Sequence, residues 1–334
     1  MSDIKKEVCC EKFKTMIGGQ ALIEGIMMRG PEKDAVVVRT ADGLHTDIRP
    51  RKVRPKKSIL NLPILRGIVG FFDAQVVGVK SLMKSAELVG DEEFTEEPSK
   101  FDAWLEKKLG NEKFQKFLIG FSVALGLAMS IGLFFLLPMV VSGFFDRWID
   151  NTLLLHLFEG LVRMIIFVGY MLLVSRMKEM KRVFSYHGAE HKTIRCYEAG
   201  LELTVENVRK MTRMHPRCGT SFLLIIMILS ILVFSVASSA LLALVPALKA
   251  MSGTFVYRLL MILFKLLMLP LVVGIGFEIN RFVGRHDNWF TRILTAPGMW
   301  FQNFTTNEPD DSMIEVGIAA LQAVLPEKEG ADKW

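Results

Sequence analysis

The chain has 334 residues, 51% of them hydrophobic, and a formal net charge of +6. Its apolar residues gather in long blocks between residues 117 and 283 while both ends are charged; this pattern excludes an ordinary soluble core and calls for a bilayer. The basic residues sit beside those blocks, which favours the lipid bilayer and its anionic headgroups, not nucleic acid, as their partner.

From the N-terminus, the charged start MSDIKKEVCCEKFKTM lacks the apolar stretch of a secretory signal. Cys9, Cys10, Cys196 and Cys218 form no secreted-type framework and read as reduced, cytosolic thiols. Residues 18–31, GGQALIEGIMMRGP, are too rich in glycine for a helix and read as a turn; Glu24 and Arg29 within it are candidates to cap a site and touch a substrate. Two strand-like runs around Ala-Asp-Gly in residues 35–49 predict a β-hairpin. Residues 59–83 predict an amphipathic, interfacial helix, because Arg66, Asp73 and Lys80 are too frequent for a span. The acidic stretch DEEFTEEPSK, residues 91–100, reads as a linker.

Four stretches are long and apolar enough to cross a bilayer: residues 117–142, 153–174, 221–247 and 257–280. Pro138, Pro246 and Pro270 are expected to kink or end these helices. Lysine and arginine crowd the connector 175–219, the N-terminal region around Arg49–Lys57 and the stretch after the fourth span, while connectors 143–152 and 248–256 carry little beyond Arg147 and Lys249. By the positive-inside rule both termini are then cytoplasmic. The expected fold is mostly α: a four-span transmembrane helical bundle with a small cytoplasmic N-terminal α+β domain containing a β-hairpin. Its expected division is 1–90 for the N-terminal domain with hairpin and interfacial helix, and 91–116 for an acidic linker and juxtamembrane helix. The bundle takes 117–283, including the polar, water-facing loop 175–219, and the cytoplasmic tail 284–334 ends in an amphipathic surface helix.

Charges inside the spans are costly and therefore informative. Glu159 and Arg163 stand four residues apart in the second span. They form either a self-shielding pair or a polar face lining a substrate path. Lys265 in the fourth span is a candidate partner for Glu159, and His156 lies one turn earlier, near the outer interface.

The densest chemistry is SYHGAEHKTIRCYEAG, residues 185–200, in a chain with six histidines. His187, Glu190 and His191 fit H-x-x-E-H, in which two imidazoles four residues apart share a helix face and can reach one Zn²⁺, with Glu190 as a base for an activated water. Gly188 weakens the helix expectation. Glu278, near the end of the fourth span, is the expected third ligand, with His215 or Cys218 as its substitute. The plainer alternative is a metal-free cluster in which His191 and Lys192 touch lipid phosphates.

GGQALIEGIMMRGP, FSYHGAEHKTIRCYE, HPRCGTSF, FEINRFVGRHD and TAPGMWFQNFTTNEPDD together resemble the YqhQ-like family of bacterial multi-pass membrane proteins, over residues 16 to 325. The resemblance implies bacterial origin, an inner-membrane location and a metal-dependent enzyme. Similarity to inverted zincin peptidases covers residues 187–191 alone. The leading functional expectation is a metal-dependent hydrolase acting on a membrane-associated peptide or lipid-linked substrate. A non-enzymatic scaffold binding another membrane protein complex is the main alternative, and a transporter the third; no internal repeat supports the last.

Overall fold

The computed structural model describes residues 12–51, 58–93, 111–145, 148–286, 288–328 and 330–333. Cys9, Cys10, Lys52, Arg54, Lys56, Lys57, Arg147 and most of the expected acidic linker lie outside the described residues. The chain forms two compact units. One comprises residues 1–90, 171–229 and 270–334, the other 91–170 and 230–269, so the divisions fall inside long helices.

The first unit is built on a four-stranded antiparallel sheet, β1 (Gly18–Leu22), β2 (Gly25–Arg29), β3 (Lys33–Thr40) and β4 (Gly43–Pro50), in sequential order. The predicted hairpin is β3–β4, with Val37 opposite Thr46 and Thr40 opposite Gly43. The glycine-rich stretch before it, expected as a turn, is a second hairpin. Leu22 pairs with Gly25 across a link of Ile23 and Glu24, where Glu24 takes a positive φ of 50°. Its side chains alternate between two covered faces. Ile26, Met28, Ala35 and Val37 pack with Tyr186, Ala189 and Val316 on one face, while Leu22, Met27, Val36 and Val38 meet Val77, Leu88 and Val89 on the other. Burial on both faces is why β3 reads AVVV, a continuous apolar run. The exposed edge β4 is polar, with Asp47 bound to Lys84 at 2.5 Å, which discourages edge-to-edge pairing.

Helix α1 (Leu65–Glu93) covers one face of the sheet. With Arg66, Asp73, Lys80, Lys84 and Glu87 along it, α1 is absent from the helices long and apolar enough to span a bilayer. The other face carries α5 (Lys178–Glu198) and α11 (Asp311–Val324). The connector 175–219, expected as a water-facing loop, is therefore mostly helix, and residues 186–194 are all buried. Gly188 is what lets α5 seat: a Cβ there would run into the carbonyl oxygen of Asn307. Close packing offsets the roughly 1 kcal/mol that glycine costs a helix. Lys192 is 5% exposed and pairs with Glu308 at 2.5 Å, so it is not turned to lipid phosphates. The terminal helix α11, expected on the surface, is capped by Asp310, which accepts from the Met313 amide at 2.9 Å. Its apolar face, with Ile314, Val316, Ala320 and Leu321, is core. Short α6 (Val205–Arg209) follows α5.

Among the described residues, four helical stretches are long and apolar enough to cross a membrane: Gly120–Phe145, Thr152–Val174, Gly219–Leu244 and Phe255–Arg285. The four-span helical architecture with a hairpin-bearing N-terminal sheet is thus as predicted. The first stretch is α2 (Asn111–Ile131), a π-helical turn at Gly132–Leu136 and α3 (Leu137–Phe145). Pro138 explains the π turn: it has no N–H to offer the carbonyl of Phe134, four residues back, and the ladder loosens there. The others are α4 (Thr152–Val174), α7 (Gly219–Leu244) and α9 (Phe255–Arg285), which keeps Pro270 inside it. Pro246 opens the short α8 (Pro246–Ala250), and α10 (Trp289–Thr305) follows α9. Val123, Leu127, Ile165, Leu173 and Leu267 are each more than 60% exposed, an apolar surface suited to acyl chains.

In the second unit Glu159 accepts from Lys265 Nζ at 2.5 and 2.6 Å and from Arg163 at 2.8 Å. The Arg163 Nε donates to the Phe134 carbonyl at 2.7 Å, the acceptor that Pro138 left vacant. Its guanidinium also lies over Phe135 and Phe234, 5.2 and 5.5 Å from the ring centroids.

Candidate metal centre

In the first unit, α5 brings His187, Glu190 and His191 against the segment that leads into α7 and the end of α10. His187 and His191 follow one another on a helix face, their ring centroids 4.4 Å apart. The ring Nδ1 of His187 bonds the Thr305 carbonyl at 2.7 Å, and that of His191 bonds the Arg213 carbonyl at 2.6 Å. A carbonyl only accepts, so each Nδ1 carries a proton and Nε2 is the nitrogen left to face a ligand. The Nε2 of His187 is 3.2 Å from Cys218 Sγ. The Nε2 of His191 is buried and has no hydrogen-bond partner. Ligand atoms of His187, His191 and Cys218 all lie within 4.8 Å of one another, and all three residues are buried.

Charge in this cluster follows from its neighbours. Burial disfavours an ionised imidazole at His187, but the Cys218 sulfur and Glu190 raise its pKa to about 9. Burial likewise opposes a thiolate at Cys218, yet His191 and His187 bring its pKa well below the usual thiol range. The sulfur is thereby poised in its ligating, nucleophilic form. Cys196, buried without such neighbours, is pushed up to about 11. Burial also raises Glu190, against the pull of His187 and His191. Its Oε1 accepts from the Gly19 amide at 2.9 Å, while Oε2 is buried without a partner. Gly19 is required for that approach, since a Cβ there would stand 2.6 Å from the Met27 carbonyl and 3.0 Å from the Glu190 carboxyl carbon. A cavity of about 850 Å³ meets the cluster, lined by Gly19, Arg29, Glu190, His191, Arg217 and Cys218 among others.

The cluster could hold a metal ion. Its donor set of two imidazoles and one thiolate matches the three-ligand sites that keep a fourth position open. Orphaned atoms at His191 Nε2 and Glu190 Oε2 are what such a group would satisfy.

Glu278, expected as third ligand, is engaged elsewhere. It holds the Arg66 guanidinium through both oxygens and accepts from the Ile64 amide at 3.3 Å. A bidentate guanidinium partner explains how a carboxylate is tolerated at that helix end. The substitute, Cys218, occupies the third place instead. His215 stands one layer back: its ring is 5.6 Å from that of His191, its Nε2 is 3.2 Å from Glu198 Oε2, and its amide donates to Gln302. Burial, helped by Arg217, keeps His215 neutral, far below the usual histidine pKa. Arg29 lines the cavity but is tied to Asp34 at 3.1 Å and Asp73 at 2.8 Å. Glu24 does not line it and instead binds Arg182 and, at 3.0 Å, the Tyr186 hydroxyl. Exposed His286 bonds only its own helix, at the Phe282 carbonyl. Sequence reasoning overlooked Glu198 and Arg217, which form a buried pair beneath His215. The spacing 187, 191, 198 on one helix face was the signal for Glu198. Nothing local marked the carbonyls of Arg213 and Thr305.

Residues 62–327 match the model of a family described as "Protein of unknown function (DUF1385)". The chain belongs to this DUF1385 family. It is 33% identical, over 332 residues, to "Uncharacterized protein YqhQ" of Bacillus subtilis (strain 168), covering 94% of this chain and 93% of that protein. The YqhQ-like resemblance read from the sequence is thus borne out. No solved structure matches the chain. The DUF1385 match contains His187, Glu190, His191 and Cys218, and it begins after the sheet that supplies Gly19.

Proposed function

We propose that this DUF1385 protein is a bacterial inner-membrane, metal-dependent hydrolase with both termini and the centre on the cytoplasmic side. His187, His191 and Cys218 would hold the ion, with Zn²⁺ the best match to two imidazoles and a thiolate. The reading is carried by one observation: both imidazoles have their Nδ1 fixed on backbone carbonyls and their Nε2 turned to the Cys218 sulfur side of the cluster. That second-sphere arrangement fixes tautomer and orientation, as metal-ligating histidines require. Orientation rests on the lysine and arginine bias of the connectors.

When bound, such an ion supplies Lewis acidity and lowers the pKa of water towards about 7. Glu190 supplies the proton chemistry. Its Oε1 is held by the Gly19 amide, leaving Oε2 to take the proton of the attacking water and return it to the leaving group. The water oxygen bonds to the carbonyl carbon or phosphorus of the substrate, and the scissile bond breaks towards the protonated leaving group. The adjoining cavity, which Phe277 of α9 and Gly70 of α1 also line, admits a membrane-associated peptide or lipid-linked molecule.

Elemental analysis of the purified full-length protein tests the site. Stoichiometric metal is expected in the wild type and absent in His191→Ala; a metal-free wild type sinks the proposal. Glu190→Gln should retain metal and lose about 10²–10⁴ in rate on any substrate found. A scaffold would tolerate that change while keeping its partner.

The 3.2 Å contact between His187 and Cys218 favours one second reading, a metal-free thiol nucleophile with His187 as its base. In that case a Cys218→Ala variant loses activity while chelators have no effect on the wild type.

A further inference from the structure

A second buried polar cluster lies in the other unit, and it serves none of the chemistry above. His156 is 8% exposed, and among the described residues neither of its ring nitrogens has a hydrogen-bond partner. Oε2 of Glu159 stands 3.6 Å from its Nδ1, a long ion-pair contact and not a hydrogen bond. Glu159 is in any case committed to Lys265 and Arg163. An imidazole withdrawn from water with neither nitrogen hydrogen-bonded is costly, and native proteins seldom keep one without a use.

His156 lines a cavity of about 690 Å³ together with Glu159, Asp150, Lys249 and Arg258. Among the described residues, the charges that line it or bind its lining are Lys249, Arg258, Arg163 and Lys265 against Asp150 and Glu159. Lys249 and Arg258 line the wall against Asp150 and Glu159, while Arg163 and Lys265 stand behind Glu159 and neutralise it, so the positive charge left over beside apolar helices favours entry of an anion. Met139, Leu155, Leu242 and Met261 add apolar wall beside the hydroxyls of Ser142 and Thr152, so the cavity suits a molecule that also carries hydrocarbon.

We propose that this cavity is a binding site for an amphiphilic anion with a phosphate or carboxylate head, in which His156 donates to the head and Lys249 and Arg258 balance its charge. An anionic lipid headgroup and a soluble organic anion share that chemistry. The site is independent of the metal-centre reading and survives its failure.

The full-length protein is reconstituted in nanodiscs of phosphatidylglycerol or of phosphatidylcholine and compared by native mass spectrometry and thermal melting, the latter discs also with added inorganic phosphate. Retention of phosphatidylglycerol over phosphatidylcholine identifies a lipid ligand; a rise in melting temperature with inorganic phosphate identifies a soluble one. In either case His156→Leu and Arg258→Gln weaken the effect at least tenfold. His156→Leu also melts no lower than the wild type in phosphatidylcholine discs without phosphate, since it removes a buried group that makes no hydrogen bond. No preference for either anion overturns the proposal. So does binding that survives Arg258→Gln, or survives His156→Leu in folded protein.

Discussion

The two buried polar clusters of this protein differ in how completely their atoms are bonded. In the second unit Glu159, Arg163 and Lys265 satisfy one another, and even the Phe134 carbonyl freed by Pro138 has a donor. In the first unit the ring Nε2 of His191 and the Oε2 of Glu190 are buried with nothing to bond. A saturated network holds helices together; an unsaturated one has room for a ligand. Unfilled valence therefore marks a site better than the mere presence of charge does, and His156, beside the second unit's cluster, shares that property.

Substitutions can break or sharpen this contrast. The largest effect is expected at Glu159. Its replacement by alanine strands two buried cations and should cost about 3–5 kcal/mol, seen as a loss of folded protein in the membrane fraction far beyond that of Leu173→Ala, a position 66% exposed. Equal yields for the two variants would mean the pairs are not what holds α4 to α9. Gly188→Ala comes next. A methyl facing the Asn307 carbonyl should cost about 1–3 kcal/mol by overpacking, read as a lower melting temperature, even though alanine is the better helix former. Asp310→Ala removes the cap of α11 and should cost about 1 kcal/mol, measurable in the same melt. Glu190→Gln should be the mildest, within about 1 kcal/mol, because glutamine still accepts from the Gly19 amide and the other oxygen had no partner to lose. A large drop there would place Glu190 with the saturated network and remove the contrast.

Much of the frame was legible before any coordinates. The four spans were found within a few residues because bilayer thickness sets a length and composition that a sequence cannot hide. The β3–β4 hairpin was legible from Ala-Asp-Gly between apolar runs. The β1–β2 hairpin was missed because its glycines, read as turn formers, serve close packing: Gly19 admits Glu190, which is 171 residues away in the chain. Helix α5 was read as part of a polar connector because lysine, arginine and histidine crowd it, and its buried apolar side, Tyr186, Ala189 and Ile194, is covered by α11 and the sheet. The ligand candidates illustrate the same limit. His187 and His191 announce themselves by spacing, but Glu278 and Cys218 were rivals for third place until Arg66 was seen to occupy the carboxylate.

By itself the sequence determined what the solvent imposes: which segments suit hydrocarbon, where lysine and arginine gather, and which two imidazoles share a helix face. Those are local properties, written in composition and period. The tertiary structure alone decided that His187 and His191 point towards Cys218, that Glu278 belongs to Arg66, and that backbone carbonyls at Arg213 and Thr305 fix both rings. Such pairings depend on which distant segments arrive at the same place, and carbonyls carry no residue identity by which they could be foreseen.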